Sequence, residues 1–414
     1  MPVEVASATD VGLVRTANED HFLVDDELGL YIVADGMGGH SGGAVASRLA
    51  CSEIRTFIKH SFDAVEEYKS GTQTDSAEIS SLLNFAIQHA SGRIKQEGQR
   101  NMELRGMGTT IDLAMIVNDE IFLAHVGDGR IFLQRDNEIH QLTNDHSLSN
   151  ELLERGQISS PTELRGKYRN AVTRALGHYE SIQVDHLRMD LFKNDRLLLC
   201  TDGFHRYYHA KEVDAFLGSD EPINDLVDHM IKSAREAGGR DNITTMVLNV
   251  VSSSPTADIE RISERLDVLQ GMTLFVFLDY KELLRINNTL TLKTYPAGET
   301  IFEEGSPGDC LYIIIDGQIS VVKSGTVVAD LNRGAHFGEM ALLERTGRSA
   351  DARAATETTC LLFHREEFFR IMRNHSQLAV KLLLSLAKVL AGRLRTTTNE
   401  LEKAKINDEV SILK

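Results

Sequence analysis

The sequence changes its pattern once, at a run of small, turn-forming residues, SSSPTAD, at 252–258. Before this run, short β-like stretches such as LGLYIVADG alternate with amphipathic segments at 43–60 and 76–99, which predicts sheets with helices outside. After it, a helical stretch leads at about Leu292 into short strands punctuated by glycine, and helix returns after His364. The 414 residues are enough for two domains that each have their own core.

The predicted fold class is α+β, with a strand-and-helix domain followed by a small β-roll between helices. We expect a first domain at 1–251, a linker at 252–261, a second domain at 262–405 and a C-terminal tail at 406–414.

Composition excludes several classes of protein. The net charge of −17, from 61 acidic and 44 basic residues, disfavours binding to a nucleic-acid backbone. No apolar run approaches the roughly 18–20 residues that cross a bilayer, and the N-terminus MPVEVASATD is unlike a signal peptide. Since the cysteines are dispersed, without a CxxC pair, we expect reduced core thiols, a cytoplasmic location and no membrane partner.

Acidic residues recur beside glycine or at the ends of predicted strands in the first domain. Loops at strand ends hold side chains in fixed relation, and glycine allows a close backbone approach to an ion. An isolated Asp-Gly is commonly only a turn, so the argument rests on the set. Convergent carboxylates, without a Cys/His cluster, favour Mg²⁺ or Mn²⁺ over zinc. The set comprises Glu19, Asp20, Asp35, Asp128, Asp202 and Asp241.

These residues lie in a longer succession of motifs over residues 1 to about 251. In order they are VRTANED, VADGMGGHSGG, GMGTT, VGDGR, LTNDHSL, RNAVTRALG, CTDG and GGRDNIT. The succession resembles the metal-dependent type 2C serine/threonine protein phosphatases in their bacterial form. The resemblance implies an α-β-β-α sandwich with a metal centre in a cleft at one end.

The resemblance also implies a role for each matching residue. Asp35 would bridge two Mn²⁺ or Mg²⁺ ions, with Asp202 and Asp241 completing one site. Glu19 and the carbonyl of Gly36 would help to hold the other. Asp20 would orient bound water, and Asp128 would join Asp202 at a possible third ion.

Catalysis in this family implies a water activated between two metal ions, without a phosphoenzyme. Arg15 would bind the phosphate through paired guanidinium donors. Asp35 and Arg15 are therefore the expected catalytic residues. The segment 143–176 resembles the family's flap beside the active site.

Two positions depart from the family pattern. Met37 stands where many eukaryotic members have a histidine proposed as general acid, which leaves water or His40 as alternatives. Gly129 stands where a GDSR sequence is usual, and the expected effect of the lost hydroxyl is a local change in hydrogen bonding.

The second domain contains FGEMALLERTGRSADARAAT at 337–356, which resembles the phosphate-binding cassette of cyclic-nucleotide-binding domains. The resemblance covers about 262–405. It implies that Gly338 allows close approach, Glu339 accepts from the ribose 2′-hydroxyl, and Arg348 with Ser349 holds the cyclic phosphate. Met340 belongs to the same expected pocket. Gly347 replaces a common proline, which predicts a looser end to the cassette, and a β-roll used only for dimerisation is the alternative.

The final helix predicts both the choice of base and the assembly. Its AGRLRTTTNELEKA sequence resembles the catabolite activator protein, where hydroxyl residues contact adenine from both subunits, so Thr397 and Thr398 favour cyclic AMP over cyclic GMP. An alternating 3,4 spacing predicts a coiled-coil seam and a homodimer, although burial within one domain would explain its first half equally well. The seam residues are Val380, Leu383, Ala387, Leu390, Leu394, Thr397 and Leu401.

The sequence thus predicts a phosphatase acting on phosphoserine and phosphothreonine in proteins, regulated by a cyclic nucleotide. The alternative is a catalytically idle phosphatase fold that serves as a nucleotide-responsive binding module. Hydrolysis of the cyclic nucleotide itself is disfavoured because the two sites belong to separate domains.

Overall fold

The computed structural model describes the backbone of residues 3–38, 41–160, 163–164, 168, 171–252 and 257–412, and side chains within these ranges except at 257–263 and 400–412. The chain divides into two compact units, Met1–Pro255 and Thr256–Lys414.

Two five-stranded antiparallel sheets form the centre of the first unit. One sheet has the strand order β1 (Val3–Asp10), β12 (Ile243–Val250), β11 (Arg196–Cys200), β8 (Arg130–Arg135) and β9 (Glu138–Gln141). The other has the order β10 (Asp185–Asp190), β7 (Glu120–Val126), β6 (Ile111–Val117), β3 (Leu30–Ala34) and β2 (His21–Asp25). A short ribbon pairs β4 (Gly36–Met37) with β5 (Gly108–Thr109).

Helices cover the outer face of each sheet. A core of buried side chains joins α1 and α3 to the sheet that contains β3 and β6, and a second core joins α6 and α7 to the other sheet. The sheets face each other where β3 contacts β11 and β12. The predicted α-β-β-α sandwich is confirmed. The helices are α1 (Gly42–His60), α2 (Phe62–Lys69), α3 (Ala77–Arg100), α4 (Leu148–Glu154), α5 (Asp202–His205), α6 (Ala210–Leu217) and α7 (Ile223–Glu236), with a 3-10 turn at Met102–Leu104.

The central strands β3 and β6 are apolar at all positions but one because both of their faces are covered. Every residue of β3 and of β6 is buried, and the only charged residue in either strand is Asp112. Charged side chains therefore collect where the strands end, as Asp35 does directly after β3.

The second unit is a β-roll between helices, as predicted. Its two four-stranded sheets enclose one apolar core, and the helices pack a second core against the sheet that contains β15 and β20. One sheet has the strand order β13 (Thr291–Tyr295), β20 (Thr358–His364), β15 (Cys310–Asp316) and β18 (His336–Phe337). The other has the order β14 (Thr300–Phe302), β19 (Asp351–Ala354), β16 (Gln318–Lys323) and β17 (Thr326–Asn332). The helices are α8 (Ala257–Gly271), α9 (Tyr280–Asn287), α10 (Met340–Leu343), α11 (Arg365–Asn374) and α12 (Ser376–Ile412), with a 3-10 turn at Thr273–Phe275.

Two predicted boundaries differ from the structure. Helix α8 begins at Ala257, inside the expected linker at 252–261, because polar and small residues are tolerated in the first turn of a helix. Helix α12 continues to Ile412 through most of the expected tail at 406–414.

All four cysteines are buried free thiols, as expected. Within the described part of the chain, none of the helices combines the length and the apolar character needed to span a membrane.

Candidate functional site

The carboxylates that the sequence singles out meet at strand ends of the first unit. Asp20, Asp35, Asp128, Asp202 and Asp241 lie close enough for their charges to act on one another. Glu19 joins them through Arg15, whose charge interacts with Glu19, Asp35 and Asp241. Residues that are widely separated in the sequence thus form one acidic centre.

The pKa values of this centre show that its negative charge is incompletely balanced. Burial raises the pKa of Asp20 to about 7 and that of Asp128 to about 8, with the charge of Asp202 adding to both shifts. Burial also raises the pKa of Asp35 well above its usual value, and Asp20 is the largest of the charges that add to it. A bound cation would relieve this repulsion, and carboxylate oxygens are the ligands that Mn²⁺ and Mg²⁺ prefer.

Asp20 has one oxygen held and one left open. Its Oδ2 accepts hydrogen bonds from the hydroxyls of Thr201, at 2.9 Å, and Thr244, at 2.7 Å. Its buried Oδ1 has no hydrogen-bond partner among the described residues. A buried acceptor rarely stays unpaired, so this atom fits a site that receives a cation or an ordered water.

Two arginines pair with the centre. Arg15 makes a two-point contact with Asp241, with Nε and Nη2 each 2.9 Å from a carboxylate oxygen. Arg206 forms an ion pair with Asp202 and lies 4.0 Å from Asp241. Neither Arg206 nor the threonines that hold Asp20 were singled out from the sequence. Thr201 and Thr244 stand inside the CTDG and GGRDNIT motifs, and Arg206 follows Asp202 at the i,i+4 spacing of a helical ion pair.

The backbone around Glu19 and Gly36 is tightly fixed. The Gly36 N–H donates to the Glu19 carbonyl at 3.2 Å, and the Glu19 N–H donates to Asn242 Oδ1 at 2.8 Å. A Cβ at Gly36 would lie 2.2 Å from the Gly43 carbonyl oxygen, so only glycine fits there. Met37 follows within β4, and His40, the alternative proton donor, lies outside the described residues.

The start of the flap is attached to the turn that carries Asp128. Arg130 binds Asp145 with two hydrogen bonds of 2.9 and 2.8 Å, and the His146 N–H donates to the Gly127 carbonyl at 2.6 Å. The expectation for Gly129 needs correction. The position lacks room for a side chain, because a Cβ there would lie 1.8 Å from Asp112 Oδ2.

The second unit contains a cavity of about 470 Å³. Its lining includes all the expected cassette residues, Gly338, Glu339, Met340, Arg348 and Ser349. Gly338 has a positive φ of 77°, and a Cβ there would lie 2.5 Å from Arg348 Nη1. The cassette therefore requires glycine beside its arginine.

Two buried atoms of this cavity are without a partner in the described structure, namely Glu339 Oε2 and Arg348 Nε. The guanidinium of Arg348 donates to the Cys310 carbonyl through both Nη atoms at 3.1 Å and lies 4.1 Å from the centre of the Phe302 ring. An open acceptor and an open cationic donor are the groups that a ribose hydroxyl and a cyclic phosphate need.

The end of the cassette is fixed, which corrects the expectation drawn from Gly347. The Gly305 N–H donates to the Arg348 carbonyl and the Arg348 N–H to the Ser306 carbonyl, each at 2.8 Å. A Cβ at Gly347 would lie 2.6 Å from the Gly305 oxygen. These two backbone hydrogen bonds restrain the end of the cassette, as a proline at position 347 would be expected to do.

Thr397 and Thr398 do not line the cavity. Both are exposed on α12, and Thr398 donates to the Leu394 carbonyl at 2.9 Å. The residue of α12 that does reach the cavity is Arg393, which pairs with Glu339 and donates to the His336 carbonyl at 3.0 Å. Arg393 lies in the AGRLR stretch of the sequence, but only the threonines that follow this stretch were singled out from the sequence.

A carboxylate-rich centre on an α-β-β-α sandwich is typical of a metal-dependent hydrolase. Comparison with known proteins makes this class more specific. Residues 14–247 match the family model "Protein phosphatase 2C", and residues 292–375 match "Cyclic nucleotide-binding domain". The chain belongs to the protein phosphatase 2C family, a family of metal-dependent protein phosphatases, and carries a cyclic nucleotide-binding domain in its second unit.

Relatives and solved structures align with the first unit. Protein phosphatase PhpP of Streptococcus pneumoniae is 34% identical over 252 residues, which cover 60% of this chain and 98% of PhpP. The S. agalactiae serine/threonine phosphatase structure is 30% identical with a TM-score of 0.53, covering 60% of this chain and 100% of that one. The PstP catalytic domain, crystallised with 2 manganese ions, is 29% identical with a TM-score of 0.51, covering 60% and 99%.

Proposed function

We propose that this chain hydrolyses phosphoserine and phosphothreonine in proteins at the acidic centre of its first unit, and that a cyclic nucleotide bound to its second unit regulates the reaction. The observation that carries the first part is the convergence of five aspartates whose repulsion a cation would relieve. Family membership and the serine/threonine phosphatases among its relatives support it.

In this proposal Asp35, Asp202 and Asp241 would hold one Mn²⁺ or Mg²⁺ ion, and Asp35, Glu19 and the Gly36 carbonyl would hold a second. Asp128 and Asp202 would hold a third ion where one binds, and Asp20 would orient water through its open Oδ1. Bound ions of this kind activate a water and neutralise charge on the phosphate.

Arg15 is the proposed phosphate-binding residue. Its guanidinium donates two parallel hydrogen bonds to the Asp241 carboxylate, which is also the geometry that suits two phosphate oxygens. A cation on Asp241 would weaken its hold on Arg15 and leave these donors for the substrate. Water or His40 protonates the leaving oxygen, since the Met37 side chain carries no acidic proton.

For the second unit we propose cyclic AMP as the ligand. Glu339 Oε2 accepts from the ribose 2′-hydroxyl, Arg348 and Ser349 hold the phosphate, and Gly338 and Met340 border the ligand. Thr397 and Thr398 contact the base only if a second copy, or a movement of α12, brings them to the cavity. If a second copy brings them there, the choice of base depends on a homodimer.

The exposure of α12 supports that homodimer. The predicted seam residues Val380, Leu383 and Leu394 are 57%, 42% and 69% exposed, whereas Leu382 and Leu386 of the same helix are buried. Burial within one domain therefore does not account for the seam. We also propose a cytoplasmic location, in keeping with four free thiols.

The test is the rate of phosphopeptide hydrolysis with Mn²⁺, measured while cyclic AMP or cyclic GMP is titrated. We expect Mn²⁺-dependent hydrolysis that changes with micromolar cyclic AMP, and loss of at least about 100-fold in kcat for Asp202→Asn. Asp225→Asn, an exposed carboxylate near the start of α7, serves as the control.

Each outcome decides a different part of the proposal. Hydrolysis that does not respond to a nucleotide shown to bind would reject regulation alone. If the unaltered protein with Mn²⁺ is as inactive as Asp202→Asn, the first unit is an idle scaffold and the chain is a nucleotide-responsive binding module.

A further inference from the structure

Strand β6 carries one acidic residue into the core of the first unit. Asp112 is completely buried, and its neighbours along the strand are apolar. Its Oδ1 lies 2.7 Å from Nδ1 of His125, its cross-strand partner on β7. Its Oδ2 has no hydrogen-bond partner among the described residues.

His125 is placed between two acceptors. Nδ1 faces the Asp112 carboxylate, and Nε2 lies 3.0 Å from the Asn144 carbonyl oxygen. Nε2 must donate to the Asn144 carbonyl, and with an ionised Asp112, which can only accept, Nδ1 must donate as well, so the pair is then a carboxylate and an imidazolium. The other charged or titratable groups around it are Asp185 on β10 and Asp145 and His146 of the flap.

His146, at the start of the flap, accepts a backbone hydrogen bond, whereas His125 donates one. The ring of His146 lies against His125 at 4.7 Å, and its Nδ1 accepts the Gly127 N–H at 3.1 Å. The backbone of His146 returns a 2.6 Å hydrogen bond to the Gly127 carbonyl. The next carbonyl, that of Asp128, accepts from His205 Nε2 at 2.7 Å. The flap is therefore fastened to β7 at Asn144 and to the Asp128 turn at His146.

Asp112 also accounts for Gly129. A Cβ at position 129 would lie 1.8 Å from Asp112 Oδ2 and 3.3 Å from the Cys200 carbonyl oxygen. The carboxylate thus occupies the room that a side chain at 129 would need. Asp112 and Gly129 therefore fit each other sterically beside the turn that carries Asp128.

We propose that Asp112, acting through His125, is a positioning residue that holds the first residues of the flap against the Asp128 turn and so keeps Asp128 in place to serve a metal ion. This inference rests on the proposed function only for the role of Asp128. Stability alone is a weak reason for a buried ion pair, since apolar replacements of similar size are often as stable. A fixed geometry is the stronger reason.

The first test compares Asp112→Asn with the unaltered full-length protein. Selective ¹⁵N labelling of histidine should show two N–H protons on His125 at neutral pH, and only one in the variant. Mn²⁺ titration followed by electron paramagnetic resonance should show about tenfold weaker binding of the weakest ion, as expected for a residue behind a metal ligand.

The control is Asp195→Asn, which alters an equally buried ion pair, that of Asp195 with Arg135, outside this cluster. It should lower the unfolding temperature without changing the His125 signals or the weakest Mn²⁺ site. If Asp112→Asn behaves in the same way as Asp195→Asn, the role of Asp112 is merely structural and the proposal is wrong.

The second test is a double-mutant cycle of Asp112→Ala and Gly129→Ser. Each single change should lower the unfolding midpoint by roughly 6–20 °C, the first by leaving His125 unpaired and the second by collision. The double variant should lose clearly less than the sum, because the alanine makes room for the serine. Gly92→Ser, at a glycine with nothing within 4 Å, should have little effect.

Additive losses would overturn the pairing of Asp112 with Gly129. The histidine signals and the unfolding midpoints do not depend on hydrolysis. An inactive protein that shows two N–H protons and non-additive losses would therefore reject the phosphatase proposal and retain this one.

Discussion

At the residue scale, two arginines balance part of the charge of the acidic centre. Arg15 engages Asp241 and Arg206 engages Asp202. Burial raises the pKa of Asp202, and the charge of Arg206 opposes that shift. The two arginines therefore stabilise the same carboxylates that the proposed ions would bind, so arginine and ion compete.

Arg206→Gln tests this competition. Removal of the guanidinium leaves Asp202 more open to a cation, so we expect Mn²⁺ to bind about tenfold more tightly, since a hydrogen bond to a charged group contributes about 1.5–3 kcal/mol. The unfolding temperature of the metal-free protein should fall. Calorimetric titration and thermal melts measure the two effects.

Arg155→Gln is the control, because Arg155 forms an exposed pair with Glu151 on α4 and should change neither quantity. Weaker Mn²⁺ binding by Arg206→Gln would contradict the competition and would instead assign Arg206 a supporting role at the site.

At the element scale, α12 presents different residues to different surroundings. Leu378, Leu382 and Leu386 pack into the apolar core beside the β-roll. Two turns beyond Leu386, Arg393 reaches the cavity and pairs with Glu339. Glu339 Oε1 is thereby held while Oε2 stays open, so the helix orients the carboxylate without blocking a ligand.

Arg393→Ala should therefore weaken cyclic AMP binding by about tenfold or more, because it removes a charged hydrogen bond that orients Glu339. Arg395→Ala is the matched control. Arg395 is exposed, is absent from the cavity lining and bonds the Ala391 carbonyl of its own helix. Equilibrium binding of a fluorescent cyclic AMP analogue measures both variants. Equal affinities of Arg393→Ala and Arg395→Ala would show that Arg393 does not contribute to ligand binding.

At the scale of the whole molecule, the proposed dimer and the proposed nucleotide contacts involve the same helix, α12. Among the described side chains of α12, the large apolar residues that remain exposed are Val380, Leu383, Leu384 and Leu394. Exposed apolar positions along one helix favour association with a second copy. Because Thr397 and Thr398 lie beyond them on the same helix, a dimer could also present hydroxyls to the base.

The variant Leu383→Glu/Leu394→Glu should convert the dimer to a monomer, with dimer affinity lowered at least about 100-fold by charge placed in an apolar seam. Sedimentation at micromolar protein measures the change. Met102→Glu alters a residue that is 83% exposed in the first unit and should leave the assembly intact. If the unaltered protein is a monomer, the proposed dimer through α12 is wrong.

Local patterns in the sequence specified much of this protein. The change at SSSPTAD separated two kinds of domain, and apolar strands predicted sheets covered by helices, because burial on both faces demands continuous apolar strands. The ordered motifs pointed to the acidic centre and the nucleotide cassette. Asp35 was identifiable because a strand end and a glycine lie beside it, whereas Glu339 was identified through the resemblance of its segment to a phosphate-binding cassette.

Only the tertiary structure decided which distant groups pair with them. Arg393 with Glu339 and Asp112 with His125 are contacts that no local pattern encodes, since each depends on how strands and helices pack. Packing also showed why Gly129 and Gly347 depart from the family pattern, as neighbouring atoms occupy the space a side chain would need. The sequence determined the chemistry of each site, and packing decided its partners.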